Sequence, residues 1–515
     1  MDKRNLTRMA VVVALGLAAL AGKALWQRSH ARPEEPGADI VQKAGERGFM
    51  LGSLAFEACE LGQSHSAATT SAFCAPMQVP EDRAHPQGRR IALKLALARS
   101  TAPLAARDLV VLLAGGPGQA ATSAWPGVRA SFAPLLERRN VLLLDQRGTG
   151  GSNALTCARA ADEGSDELPF DPGRVQATTR ACLAGVAQHA DPRFYTTTDA
   201  VADLEAVRAA LGSPRFDLVG VSYGTRVAQQ YALHHPEAIR SLVLDSAVPN
   251  DQALGSEFAI NLDAALQAQF AACAADAACA KAVGDPWANL QRLRERLRAQ
   301  PVDVAFRDPY SNAPGTRRLG ERSLAALARM YAYLPETSAL LPLAIARALD
   351  GDYASLAAQM RMLERQMEEL SESAMQLSVV CSEDADRAVP NPADAGTLLG
   401  SEFVETLRAQ CAIWPHGNRP ADFTQPLRGD LPVLVIGGEF DPVTPPRYAE
   451  RIASTLPRSR VLVAKGLGHS VMGRGCFPKL VARFVDTLDA AALDAGCIAD
   501  FSATPAFIDY NGAAP

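Results

Sequence analysis

Six short, nearly continuous apolar runs set the tightest limit on how this chain folds. They are "DLVVLLAGG" (108–116), "NVLLLDQRG" (140–148), "FDLVGVS" (216–222), "SLVLDSA" (241–247), "PVLVIGGEFD" (432–441) and "RVLVAKGLGH" (460–469). Runs this short, apolar at consecutive positions and bounded by turn residues, suit strands buried on both faces, as in a parallel sheet. "RIALKLALA" (90–98) alternates instead, as an edge or antiparallel strand does. Helix-like stretches at 119–136, 198–211 and 223–235 separate the runs. Strands alternating with helices give a doubly wound, mostly parallel α/β sheet.

The alternation stops after Pro249. From 251 to 425 the pattern is helical, as in "NLDAALQAQFAACAADAACAKAV", with a loop or hairpin expected at 301–319. Strand signals return at Pro432, so the helical stretch reads as a cap inserted after the sixth strand. The expected organisation is a leader at 1–24, a core at 50–250, the cap at 251–425 and the rest of the core at 426–500. A chain of 515 residues is long enough for that arrangement. Its formal charge of −5 gives no basic face of the kind nucleic acid requires.

The first residues read as a targeting segment. Lys3, Arg4 and Arg8 precede an apolar run from Met9 to Ala21, and Ala19-Leu20-Ala21 offers a small-residue cleavage site. The leader is therefore either a cleaved secretory signal or an uncleaved N-terminal anchor, and both take the chain out of the cytoplasm, to the periplasm or beyond the cell. No other stretch has the length and apolarity to span a bilayer. The 10 cysteines are even in number and lack a C-x-x-C pair. In an oxidising compartment they favour disulfides, and neighbour pairing gives 59–74, 157–182, 273–279, 381–411 and 476–497. Buried free thiols are the alternative.

Gly220-Val221-Ser222-Tyr223-Gly224 ends one apolar run and opens a helix. A serine on such a turn stands clear of the sheet as a nucleophile, and the flanking glycines let backbone pack closely around it. The hydroxyl needs a base, and the base needs an orienting carboxylate. Asp441 and His469 each follow the end of a late strand, in the chain order Ser…Asp…His that suits this architecture. Asp245, after the sixth strand, is the rival acid. Among other histidines, His234 and His235 end a helix, and His85 and His416 lie in proline-containing loops. The oxyanion of a tetrahedral intermediate requires main-chain donors. Tyr223 supplies one N–H, and Gly116 in "LLAGGPGQAA" supplies the second, since Pro117 has none. No Lys-Ser/Thr follows that loop, so it is not a phosphate loop. The chemistry calls for no metal and no cofactor.

Together "GGPG" (115–118), "DQRGTGGS" (145–152), "GVSYG" (220–224), "GEFDPVTP" (438–445) and "GHSV" (beginning at Gly468) resemble the prolyl aminopeptidase and tripeptidyl aminopeptidase family of α/β-hydrolases. The spaced cysteines around "VVCSEDA" and "CAIW" resemble its exported, tripeptidyl-aminopeptidase-like branch. The resemblance implies a serine exopeptidase that releases residues or short peptides from free N-termini through an acyl-enzyme, with Ser222, Asp441 and His469 as the triad. Ala114 stands where the family has a histidine before Gly-Gly-Pro-Gly. A substrate ammonium group calls for carboxylates, and Glu383 and Asp384 in "CSED" are the candidates. Tyr331, Tyr333 and Leu334 are candidates for an apolar pocket, or core residues. Carboxylester hydrolysis by the same triad is the alternative activity, and a non-catalytic binding protein on the same fold is the third reading.

Overall fold

The computed structural model describes residues 42–45, 48–62, 69–102, 105–157, 167–370 and 373–513, so the leader expected at 1–24 lies outside the described residues. Among these residues eleven strands share one sheet. Five come first: β1 (Gln42–Gly45), β2 (Gly48–Leu51), β3 (Leu54–Gly62), β4 (Thr69–Pro80) and β5 (Arg90–Ala98). Then come β6 (Leu109–Leu113), β7 (Asn140–Leu144), β8 (Phe216–Val221) and β9 (Ile239–Asp245). A separate hairpin, β10 (Val302–Arg307) and β11 (Pro314–Leu319), precedes the last two sheet strands, β12 (Val433–Gly438) and β13 (Ser459–Ala464).

The sheet order is β1-β2-β3-β4-β5-β7-β6-β8-β9-β12-β13. Strands β7 to β13 in that order pair in parallel, and β1 to β5 form an antiparallel meander that joins at β7. Every residue of β6, β7, β9 and β12 is buried, whereas β3 and β4 mix buried, half-buried and exposed positions. That contrast is the one expected between doubly covered parallel strands and one-sided antiparallel ones. The strand at 90–98 is antiparallel as its alternation implies, but interior, because β4 covers the side an edge strand would leave open.

Side chains on successive strand positions point to opposite faces, so each apolar run feeds two cores. Val111, Leu113, Leu218, Val433 and Val435 enter one cluster, with Tyr223, Val227 and Tyr231 from the helix Tyr223–His234. Val110, Leu112, Val219, Leu434 and Ile436 enter the other, with Phe477, Leu480 and Phe484 from the helix Phe477–Thr487. Each such side chain contributes about 1.5–3 kcal/mol of burial.

Between β9 and β12 the chain is mainly helical, with the hairpin β10–β11 inside it. The segment follows the ninth strand of the chain, not the sixth, because the N-terminal meander adds strands whose weak alternation gave no clear signal. Much of the segment surrounds its own cluster, including Leu266, Phe270, Leu293, Leu327 and Ile345. Its last third behaves otherwise: the helices Ser373–Glu383 and Glu402–Cys411 send Met375, Val379, Val380 and Leu407 into the first sheet core. Disulfides join all five neighbour pairs, 59–74, 157–182, 273–279, 381–411 and 476–497. Among the described residues no helix is long and apolar enough to cross a membrane.

Candidate active site

The parallel register lines up the carboxyl ends of the strands. Leu113 of β6 faces Gly220 of β8, Val221 faces Asp245 of β9, Asp245 faces Ile436 of β12, and Gly438 faces Ala464 of β13. Loops leaving these ends share one edge of the sheet, the edge where open α/β sheets bind ligands.

Ser222 is the first residue beyond β8 and adopts φ 54° and ψ −123°. A non-glycine residue held at positive φ stores about 1–3 kcal/mol, which the surroundings must enforce. Here the Ser222 N–H donates to the Asp245 carbonyl at 2.9 Å, while its own carbonyl accepts from the Thr225 N–H at 2.9 Å. The next helix can start this close to β6 only because residue 224 is glycine: a Cβ there would overlap the Leu113 carbonyl oxygen. The serine is partly exposed. Its hydroxyl has no hydrogen-bond partner among the described residues.

Asp441 follows β12 and His469 follows β13. The Asp441 carboxylate accepts from the N–H groups of Val443 and Thr444 at 2.9 and 2.8 Å, and from the Thr444 hydroxyl at 2.8 Å. His469 Nδ1 lies 2.8 Å from the same carboxylate and donates to it. Burial works against the ionised carboxyl, but the imidazole and these donors outweigh it and hold Asp441 below the ordinary value. Burial likewise works against the imidazolium, yet the Asp441 charge and hydrogen bond outweigh it and raise His469. With Nδ1 engaged, Nε2 is the basic nitrogen left to the histidine.

Two strands, β9 and β12, lie between β8 and β13 in the sheet, three spacings or roughly 14 Å, and the histidine loop folds back over β9 toward the serine. Asp245 is what holds it there. Its buried carboxylate accepts the N–H groups of Val471 and Met472, both at 3.0 Å, and the Ser470 hydroxyl at 3.1 Å. The rival acid thus anchors the loop, and Asp441 is the carboxylate bonded to the imidazole.

The loop after β6 lies against the serine: a Cβ on Gly115 would sit 3.1 Å from Ser222 Cβ. Gly116 has φ 104°. Among the described residues, neither the Gly116 nor the Tyr223 main-chain N–H has an acceptor. Asp145, in the loop after β7, steadies this side by accepting the Thr122 N–H and hydroxyl at 2.8 Å each and the Gly151 N–H at 3.1 Å. Arg147 in the same loop pairs through two nitrogens with Asp203, at 2.6 and 2.7 Å. The "DQRGTGGS" stretch is therefore a brace for the site.

Glu383 and Asp384 are placed differently from a substrate-facing pair. Both are wholly buried at the end of the helix Ser373–Glu383. Glu383 accepts the Thr197 N–H at 2.6 Å and faces the Thr197 hydroxyl at 2.9 Å. Burial pushes its carboxyl up to about 8, against the pull of Arg226. Asp384 is paired with Arg226 at 2.8 Å and with Arg387 at 2.5 Å, and accepts the Leu254 N–H. Their oxygens are satisfied inside the protein, so the amine-binding expectation has no open carboxylate here. Tyr331 is buried in the core of the helical segment. Tyr333 instead meets the site: its carbonyl accepts the His469 N–H at 2.8 Å, and its ring stands edge-on to the imidazole at 5.1 Å between centroids. Leu334 beside it is 37% exposed. Thr197 and Arg226 carry no motif of their own, and only the fold brings them to Glu383 and Asp384. No group of three or more metal-ligating side chains occurs among the described residues.

The family model described as alpha/beta hydrolase fold matches residues 108–473. "Serine protease Hip1" of Mycobacterium tuberculosis is 26% identical over 458 residues, which cover 80% of this chain and 85% of that protein. "Tripeptidyl aminopeptidase" of Streptomyces coelicolor is 24% identical over 461 residues, covering 82% of each. "Proline iminopeptidase" of Neisseria gonorrhoeae is 31% identical over 135 residues, 26% of this chain and 31% of that one.

Proposed function

The chain belongs to the α/β-hydrolase fold family, and on that premise we propose that it is an exported serine peptidase cutting near free peptide N-termini through an acyl-enzyme. One observation carries the reading. A histidine bonded to a buried carboxylate shares its sheet edge with a serine held at positive φ and with two main-chain N–H groups that have no acceptor among the described residues. That is the set acyl transfer requires.

Ser222 Oγ attacks the carbonyl carbon of the substrate, and His469 Nε2 takes its proton. The carbonyl π pair moves onto oxygen, where the N–H groups of Gly116 and Tyr223 stabilise the charge. Asp441 keeps the imidazole oriented and stabilises its cation. Collapse of the intermediate expels the amine, which takes the proton from His469, and leaves an ester on Ser222. Water then attacks the ester with the same base, releasing the acid. Tyr333 and Leu334 offer the apolar wall nearest the base.

The names of the relatives support peptide substrates and an N-terminal mode of attack. The five disulfides and the leader support export. The test is a set of Pro-, Ala- and Ala-Ala-Pro-anilides, each with a free and an acetylated N-terminus, beside a simple acyl ester. Turnover of the free-amine peptides and its loss on acetylation is expected. Equal turnover of free and blocked peptides would make the enzyme an endopeptidase, and turnover of the ester alone an esterase.

A further inference from the structure

The burial of Glu383 beside the nucleophile's helix gives this carboxylate a different task. Resting on the acyl-transfer reading above, we propose that Glu383 is a positioning residue for the oxyanion hole, acting through Thr197 on Tyr223, the residue whose main-chain N–H meets the oxyanion.

The connection is a line of three oxygens in the interior. Glu383 lies 2.9 Å from Thr197 Oγ1, and Thr197 Oγ1 lies 2.7 Å from Tyr223 Oη. All three residues are buried, so no solvent competes for these bonds. The line holds in either proton state of Glu383. When the carboxyl is ionised, Thr197 donates to it and Tyr223 donates to Thr197. When it is protonated, it donates to Thr197 Oγ1, whose second lone pair still accepts the Tyr223 O–H.

The same helix is tied once more, three residues on. Arg226 lies on the face of Tyr223, since positions i and i+3 are neighbours on a helix, and it pairs with Asp384. Adjacent carboxylates at the end of one helix thus hold the first turn of another. That turn carries an N–H which must point at a charge that forms only in the transition state. Donors aimed in advance are effective because they need not reorganise during the reaction. A helix start free to rock would lose that aim without losing substrate binding.

Tyr223→Phe removes one hydroxyl from the line and keeps the ring in its core. With a peptide anilide, kcat should fall about tenfold with KM little changed, a part of the roughly 10²–10³ that loss of a whole oxyanion donor costs. A peptide trifluoromethyl ketone, whose adduct places an oxyanion in the hole, should weaken by the same factor. Thr197→Val should give the same loss, and the double variant no more than either single one. Fluorophosphonate labelling of Ser222 in the unaltered protein keeps the outcomes apart. If Ser222 is labelled but Tyr223→Phe leaves kcat and ketone affinity unchanged, or lowers thermal stability alone, the positioning role is overturned and the nucleophile stands. If Ser222 is not labelled, the acyl-transfer reading falls and takes this inference with it.

Discussion

In the sheet, main-chain ladders set five strand ends in register, and the loops carrying Ser222, Asp441 and His469 leave from positions fixed to a fraction of a strand spacing. Between β9 and β12 the chain is held differently. Among the described residues its one ladder is β10–β11, and otherwise side chains pack around a separate cluster or, in its last third, into the first sheet core. Among the seats at which this segment reaches the site are Tyr333 on the histidine loop, Asn261 on the Val443 carbonyl beside Asp441, and Glu383 with Asp384 under the helix that follows Ser222. The proposed reacting groups therefore belong to the part built from backbone bonds, and the proposed bracing groups to the part built from side-chain packing. Changes at the sheet edge should abolish turnover, while changes at the seats should only attenuate it.

Ser222→Ala makes the largest break. Loss of the nucleophile should lower kcat by about 10⁶, with the melting temperature unchanged or raised, because alanine removes no contact the fold uses. A residual activity within tenfold of the unaltered enzyme would move the chemistry away from the sheet edge altogether.

Asp441→Asn should cost about 10⁴ in kcat and should also move the pH profile. As the proposed base His469 must be neutral, and the Asp441 carboxylate raises its pKa above the ordinary 6.5 against the effect of burial. Activity should therefore be lost as pH falls through a value above 6.5. Without the Asp441 charge, burial, the largest influence on the imidazole, is opposed only by the smaller pull of Asp245 and lowers its pKa, so the acid limb of kcat/KM should move down. A limb that stays in place would mean that another group titrates.

The same division explains what the sequence made legible. The apolar runs showed the parallel strands because strands buried on both faces have few polar positions, and the triad candidates were visible because they stand at the ends of those runs. The meander β1–β4 was not visible: β3 and β4 mix wet and buried positions in the irregular manner of an antiparallel surface. Glu383 and Asp384 stood out as an acidic pair, yet an acidic pair reads alike on a solvated turn, at a ligand site or in the interior. Only tertiary packing supplies Thr197 and Arg226, which lie more than 150 residues away from them in sequence. Tyr333 is harder still, since its contribution to His469 begins with a main-chain carbonyl.

Gly468→Ala tests the seat on the histidine loop. A Cβ at 468 would overlap the Tyr333 carbonyl oxygen, which already accepts the neighbouring His469 N–H. Backbone on both sides leaves nothing flexible to yield, so Tyr333 and the histidine loop must separate. A displacement near 1 Å should lower kcat/KM about 10²-fold, less than either triad change. Gly437→Ala is the control on the adjoining strand, because a Cβ there meets nothing within 4 Å. Equal losses in the two variants would trace the effect to β12 and not to the seat of Tyr333.

The smallest effect on turnover should come from opening the Cys381–Cys411 disulfide, which ties the helix carrying Glu383 to the helix Glu402–Cys411. Its sequence separation is 30, and closing a loop of that length removes unfolded-state entropy worth about 3–4 kcal/mol. Replacing both cysteines by serine should lower the urea midpoint clearly and leave kcat at 25 °C nearly unchanged, because Met375, Val379, Val380 and Leu407 still pack these helices onto the sheet. Cys59–Cys74, between β3 and β4 with a separation of 15, is the matching pair in the sheet, far from the strand ends that carry the site. Opening it should lower stability by a similar amount with the same indifference of kcat. A kcat loss confined to the Cys381–Cys411 variant, with Ser222 still labelled by fluorophosphonate, would show that the covalent tie itself, beyond the packing, keeps Glu383 in register with Thr197.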